Sequence, residues 1–297
     1  MNQLIALRFL QGLVAAGPAV FAPVMIKVMY DEHNAVAALG RIGSIESMTP
    51  AFAPILGAWL LTTFDWRFSF YLTALIALCL SLIWLFAADT RHKFGFASRS
   101  SQGYRALLTD LYFLRYSFSQ AFTLGALLII VFAAPTVIME SLGGELRDFI
   151  IMQVGGVSFF VLAANTSHHL VQKFGPSKTI LAGTSLTALG CLGICIVSLT
   201  GVSSKIQAVW VLFILVNTGL GVRGPSGFFT ALQAAGDNES RGSALIVLLV
   251  MLTAALGTAA AAPFVDDGLF EVAALASIVA LTAVALSVKP VRGSTDR

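Results

Sequence analysis

Apolar residues in this chain come in blocks of about twenty. They follow neither the alternation of strands nor the one-sided stripe of soluble helices. A helix needs about 20 mostly apolar residues to cross the hydrocarbon core of a bilayer. Nine stretches qualify: 5–27, 43–63, 68–88, 113–138, 149–167, 179–200, 206–230, 243–264 and 269–288. The cleanest is FSFYLTALIALCLSLIWLFAA over 68–88, which carries no charge. Connections between blocks are short, with one exception. The segment DTRHKFGFASRSSQGYRALLTD, 89–110, is polar, basic and serine-rich, and it parts three spans from six. The pattern predicts an all-α polytopic membrane protein divided into 1–88, a linker 89–110, and 111–297.

Composition agrees with the pattern. Of 297 residues, 57% are hydrophobic and 11% charged, with a mean hydropathy of +0.87. Soluble domains carry about 25% charged residues, so lipid is the solvent this surface suits. The net charge of +3 is spread over loops, with no basic arm or aromatic-interleaved stripe for nucleic acid. Cys79, Cys191 and Cys195 fall in apolar runs without a Cys-x-x-Cys spacing, which leaves them as packing residues.

Lysine and arginine placement sets the expected orientation. Lys27, Arg41, Arg91, Lys93, Arg99, Arg105, Lys173, Lys178, Arg241, Lys289, Arg292 and Arg297 fall on one side of the nine spans. Only Arg67, Arg147 and Lys205 fall on the other, together with seven acids. The linker and the C-terminus are therefore expected in the cytoplasm. Nothing at the N-terminus reads as a signal peptide.

Two stretches repeat. LVAAGPAVFAPVM from Leu13 aligns with LGVRGPSGFFTAL from Leu220, so that Gly17 and Pro18 lie over Gly224 and Pro225, 207 positions further on. At the same offset DEHNAVAAL from Asp31 lies over NESRGSALI from Asn238. If the first span corresponds to the seventh, the six spans after the linker are one complete half and the three before it are part of another. Internal repeats around a central site mark secondary transporters.

Several motifs carry a family resemblance. RFLQG, Arg8 to Gly12, has the Arg-x-x-x-Gly form; Gly40, Pro54 and Gly57 keep part of a Gly-x8-Gly-x3-Gly-Pro-x2-Gly-Gly pattern, with Thr49, Ala53 and Ala58 where glycine is usual. DWRFSFYL from Asp65 and QKFGPSK over 172–178 add an aromatic helix opening and a shortened cytoplasmic loop. In order and spacing these resemble the major facilitator superfamily, within it the drug:proton antiporter-like multidrug efflux branch. The resemblance implies a two-lobed, twelve-helix architecture of which this chain holds the equivalents of helices 4–6 and 7–12, lacking the first three.

It also implies the site. Arg8, inside the first span, becomes a candidate for coupling proton movement to substrate movement, with Gln11 about one turn away in the same network; the alternative is a side chain that snorkels to the headgroups. Glu46 is the one acid clearly within a predicted span and a second coupling candidate; the alternative is an interfacial carboxylate. Arg223, in GLGVRGPSGFF, is read as binding an anionic substrate, pairing with an acid, or snorkelling. Asn217, with Gln120, Gln153 and Asn165, lines the cavity or bonds helix to helix. Gly12, Gly17, Pro18, Gly40, Pro50, Pro54, Gly57, Gly224 and Pro225 are read as helix-packing and hinge positions. His168 and His169 stand together at a cytoplasmic edge without a nearby acid or cysteine, and no metal site is expected there.

No Gly-x4-Gly-Lys-Ser/Thr loop is present, so an ion gradient is the expected driving force. The spans offer no convergent nucleophile, base or metal cluster, so no enzyme and no cofactor is expected. The implied function is proton-coupled efflux of a small amphipathic molecule from the bacterial inner membrane, by a monomer whose partners are substrate, protons and lipid. A non-transporting relic and an uptake permease stay open beside it.

Overall fold

In the computed structural model, which describes residues 2–86, 103–200, 205–266 and 268–288, every regular element is helical. Ten α-helices follow in chain order: α1 (Asn2–Met29), α2 (Glu32–Thr63), α3 (Trp66–Phe86), α4 (Tyr104–Thr109), α5 (Leu111–Thr136), α6 (Leu146–Phe174), α7 (Pro176–Leu199), α8 (Lys205–Ala234), α9 (Glu239–Ala261) and α10 (Leu269–Ser287). All except the short α4 overlay the nine predicted spans. The helices outrun the apolar blocks because their ends stand outside the hydrocarbon. α2, for example, begins at Glu32 rather than at 43, with the Asp31 carboxylate accepting from the Asn34 N–H at 2.8 Å. The linker predicted over 89–110 lies outside the described residues up to 102, and its end forms α4.

Eight helices among the described residues are long and apolar enough to cross a membrane. α2 is the long helix that falls short, since Glu46, Ser47 and two prolines interrupt its apolar residues. A helix that turns one flank to a cavity rather than to lipid can carry these residues.

α5 to α10 pack on one another around a core that includes Ile129, Met152, Cys191, Phe213 and Ala276. Small residues let backbones approach. A methyl group at Gly219 would lie 2.5 Å from the Gly183 carbonyl oxygen, and one at Gly190 would lie 2.6 Å from Val216, so α7 and α8 touch almost backbone to backbone. Between α6 and α7 the chain reverses at Gly175, whose φ of +82° suits only glycine, and Pro176 starts the next helix.

α1 and α2 lean on this six-helix group by one end. Ile26, Ala35, Val36 and Leu39 form an apolar cluster with Phe229 of α8. Lys27 pairs with Glu239 of α9 at 2.8 Å, and the Ser243 hydroxyl donates to the Val20 carbonyl at 2.7 Å. The Asn165 amide of α6 donates to Ser44 of α2 at 2.8 Å. Further along, Phe9, Leu10, Leu13 and Val14 of α1 and Phe52, Leu56 and Trp59 of α2 are exposed. α3 packs against α2 and buries none of its apolar window, as a lipid-facing helix would.

Candidate functional site

Beyond that seated end the helices part around a cavity of about 420 Å³. α1 and α2 form one wall; α5, α6, α8 and α9 form the other. The size suits a drug-sized molecule. Most of the lining is aliphatic or aromatic, with Leu124, Val131, Phe160, Phe213, Phe228 and Met251 from four helices. The polar groups are few: Glu46 and Ser47 on α2, Gln120 on α5, Gln153 on α6 and Asn217 on α8. Glu46 is the one acid among the described lining residues.

These groups reach the cavity because the helices that carry them cross closely behind it. A methyl group at Gly156 of α6 would lie 2.8 Å from the Asn217 amide nitrogen. Asn217 also donates to the Phe213 carbonyl of its own helix at 2.9 Å. Pro18 of α1 and Pro225 of α8, matched by the sequence repeat, line opposite walls of the same cavity, as does Gly224.

Arg223 stands behind this wall. Its side chain is fully buried, yet no carboxylate is within ion-pairing distance among the described residues. Its Nε donates to Thr184 Oγ1 at 3.1 Å, Nη1 to Gln120 Oε1 at 2.6 Å and Nη2 to Ser119 Oγ at 2.8 Å. Ser119 lies 2.8 Å from Ser287 of α10. The guanidinium thus ties α8 to α5 and α7 and, through Ser119, to α10. None of the three roles read from the sequence describes this arrangement: Arg223 neither snorkels nor meets an acid, and it reaches the cavity only through Gln120.

Arg8 also stands apart from the cavity lining. It is exposed, donates to Gln11 Oε1 at 3.0 Å, and lies 5.7 Å from the Phe70 ring centroid of α3. Among the glycines singled out from sequence, only Gly40 meets a tight crossing, since a methyl group there would lie 2.6 Å from the Ala164 carbonyl oxygen of α6. Gly12, Gly17, Gly57 and Gly224 have open space around them. Pro50 and Pro54 fall within α2, and their side chains lie outside the described part. The close-packing glycines that the sequence reading missed include Gly156, Gly183, Gly190, Gly219 and Gly221; glycine in a span is the only local signal for them.

Comparison with known proteins places this geometry in a wider group. Residues 1–288 match the Major Facilitator Superfamily. The multidrug resistance protein MdtL of Salmonella dublin is 28% identical over 160 residues, which cover 52% of this chain and 40% of MdtL. The same protein of Salmonella typhimurium matches with the same identity and coverage. The matched stretch is therefore well under half the length of these relatives. In fold the chain is similar to FucP, a Major Facilitator Superfamily transporter whose crystal structure is in the outward conformation. The TM-score is 0.65 at 14% identity, over 90% of this chain and 71% of that one.

Proposed function

This chain belongs to the major facilitator superfamily, whose members are transporters rather than enzymes, and from that premise we propose that it exports small amphipathic molecules by proton-coupled alternating access. The observation that carries the reading is the cavity itself, a mostly apolar space between two helix groups that touch at one end only. Its aliphatic and aromatic walls suit the apolar body of an amphipathic substrate, and Gln120, Gln153 and Asn217 offer hydrogen bonds for its polar end. The likeness to a multidrug resistance protein supports efflux as the direction.

Glu46 is our candidate for the proton carrier. It lines the cavity two residues beyond the contact of Ser44 with Asn165, so its protonation would be felt where α2 meets α6. Arg8, held by Gln11 and stacked toward Phe70, is proposed to tune that step from the far end of α1. The seated end carries Lys27, Arg41, Lys173, Lys178 and Arg241. By the excess of basic residues on the inner side, we place this end in the cytoplasm. The conformation described is then sealed inward and open outward.

The test uses inside-out vesicles with an imposed pH gradient and a pH-sensitive dye. Addition of an amphipathic cation should discharge the gradient in vesicles holding this chain and leave it intact with Glu46→Gln at equal expression. Discharge that is the same with and without the chain would refute the reading.

A further inference from the structure

A second cluster lies outside the cavity, where the start of α2 meets the end of α6. His33 of α2 faces His168 and His169 of α6. The His33 and His168 rings meet edge to face with centroids 4.8 Å apart, and the His168 and His169 centroids are 3.8 Å apart. Each residue offers one ring nitrogen, and these three nitrogens lie within 4.8 Å of one another. Two ring nitrogens, His33 Nε2 and His168 Nδ1, are buried without a hydrogen-bond partner. Buried polar atoms are seldom left unpaired, and three imidazoles turned toward one another make no bonds that would account for it.

We propose that His33, His168 and His169 bind one divalent transition-metal ion of the zinc class, bridging α2 and α6. Neutral imidazole is a lone-pair donor that suits zinc, nickel or copper, whereas magnesium and calcium prefer oxygen ligands. A tetrahedral zinc site with Zn–N of about 2.0–2.1 Å sets neighbouring nitrogens roughly 3.4 Å apart. Small side-chain rotations bring the present spacing into that range. The fourth position falls to water. His169 is exposed and His33 half-buried, which gives the ion a path from solvent. Because the ligands come from both helix groups, the bound ion fastens α2 to α6 beside the Gly40–Ala164 crossing. Metal binding itself does not rest on the transport reading; only that consequence for the movement does.

The experiment takes the tag-free chain in detergent, stripped with a chelator. Zn²⁺ is titrated in competition with a chromophoric zinc indicator, with Mg²⁺ as the control ion. One zinc should bind per chain and raise the melting temperature, and Mg²⁺ should do neither. His33→Gln and His168→Gln should each weaken zinc binding by at least about tenfold, the loss that outer-shell changes alone can cause. If His33→Gln does not assemble, the exposed His169→Gln tests the metal site and the smaller His33→Asn tests the bridge. Zinc binding no tighter in the wild type than in the triple His→Gln variant would overturn the site. Unchanged affinity in a folded His33→Gln would overturn the bridge.

Discussion

The Arg223 guanidinium meets the Gln120 side-chain carbonyl at 2.6 Å inside the six-helix group, and the amide of Gln120 is part of the cavity wall. A buried cation is thus one side chain removed from the space where a substrate would sit. It is stabilised by three neutral dipoles from two other helices, α5 and α7, rather than by a counter-charge.

Arg223→Ala is expected to destabilise the bundle. Interhelical hydrogen bonds in a bilayer average about 0.6 kcal/mol each; with the void left behind, the total loss comes to roughly 2–4 kcal/mol. Arg223→Lys should recover little of it, because an ammonium on a flexible stem does not reproduce the planar fork. Thermal unfolding in detergent measures both. A lysine variant as stable as the wild type would show that charge, not geometry, is what this position requires.

The half-buried pair Lys27–Glu239 joins α1 to α9. Lys27→Glu should weaken the seated end by about 1 kcal/mol, and the double exchange Lys27→Glu with Glu239→Lys should restore most of it. The readout is the labelling rate of a cysteine placed at Ser47, probed from the side of the α1–α2 turn. It should rise in the single variant and fall back in the double.

Glycines of similar sequence context should respond in opposite ways. Gly40→Ala sets a methyl group against the Ala164 carbonyl and should reduce cross-linking between cysteines placed at Ser44 and Asn165. Gly12→Ala and Gly57→Ala meet nothing within 4 Å. They should be neutral or stabilise the helix by about 0.5–1 kcal/mol. Equal effects at the three positions would contradict the crossing.

Arg8→Ala should reach the membrane at normal levels and lose proton-coupled discharge in the vesicle assay. The exposed guanidinium contributes little to packing, its partners being Gln11 and the Phe70 ring. Transport unchanged at normal expression would remove Arg8 from the mechanism.

Much of the architecture was legible because bilayer thickness sets one length for every apolar block. Nine blocks of that length predicted nine long helices; that the repeated Pro18 and Pro225 line facing walls of one cavity is seen only in the structure. What lay beyond reach was anything set by rotation of a helix about its axis. A span reads alike whether its glycine has open space around it, as Gly12 does, or meets a neighbouring backbone, as Gly183 does. Arg223 could not be told from a snorkelling arginine, since its acceptors come from α5 and α7. His33 could not be joined to His168 and His169, because only the crossing of α2 over α6 brings them together.

The seating of α2 by one end has a mechanical consequence. From Ser44, which holds α2 to Asn165 of α6, to Thr63 the helix runs on for roughly 28 Å at 1.5 Å per residue. Pivoting by about 10° near Ser44 would carry the far tip sideways by about 5 Å, one helical pitch. A slight adjustment among Gly40, Ser44 and Asn165 is thereby magnified at the opposite face of the bilayer, and the long arm itself need not bend.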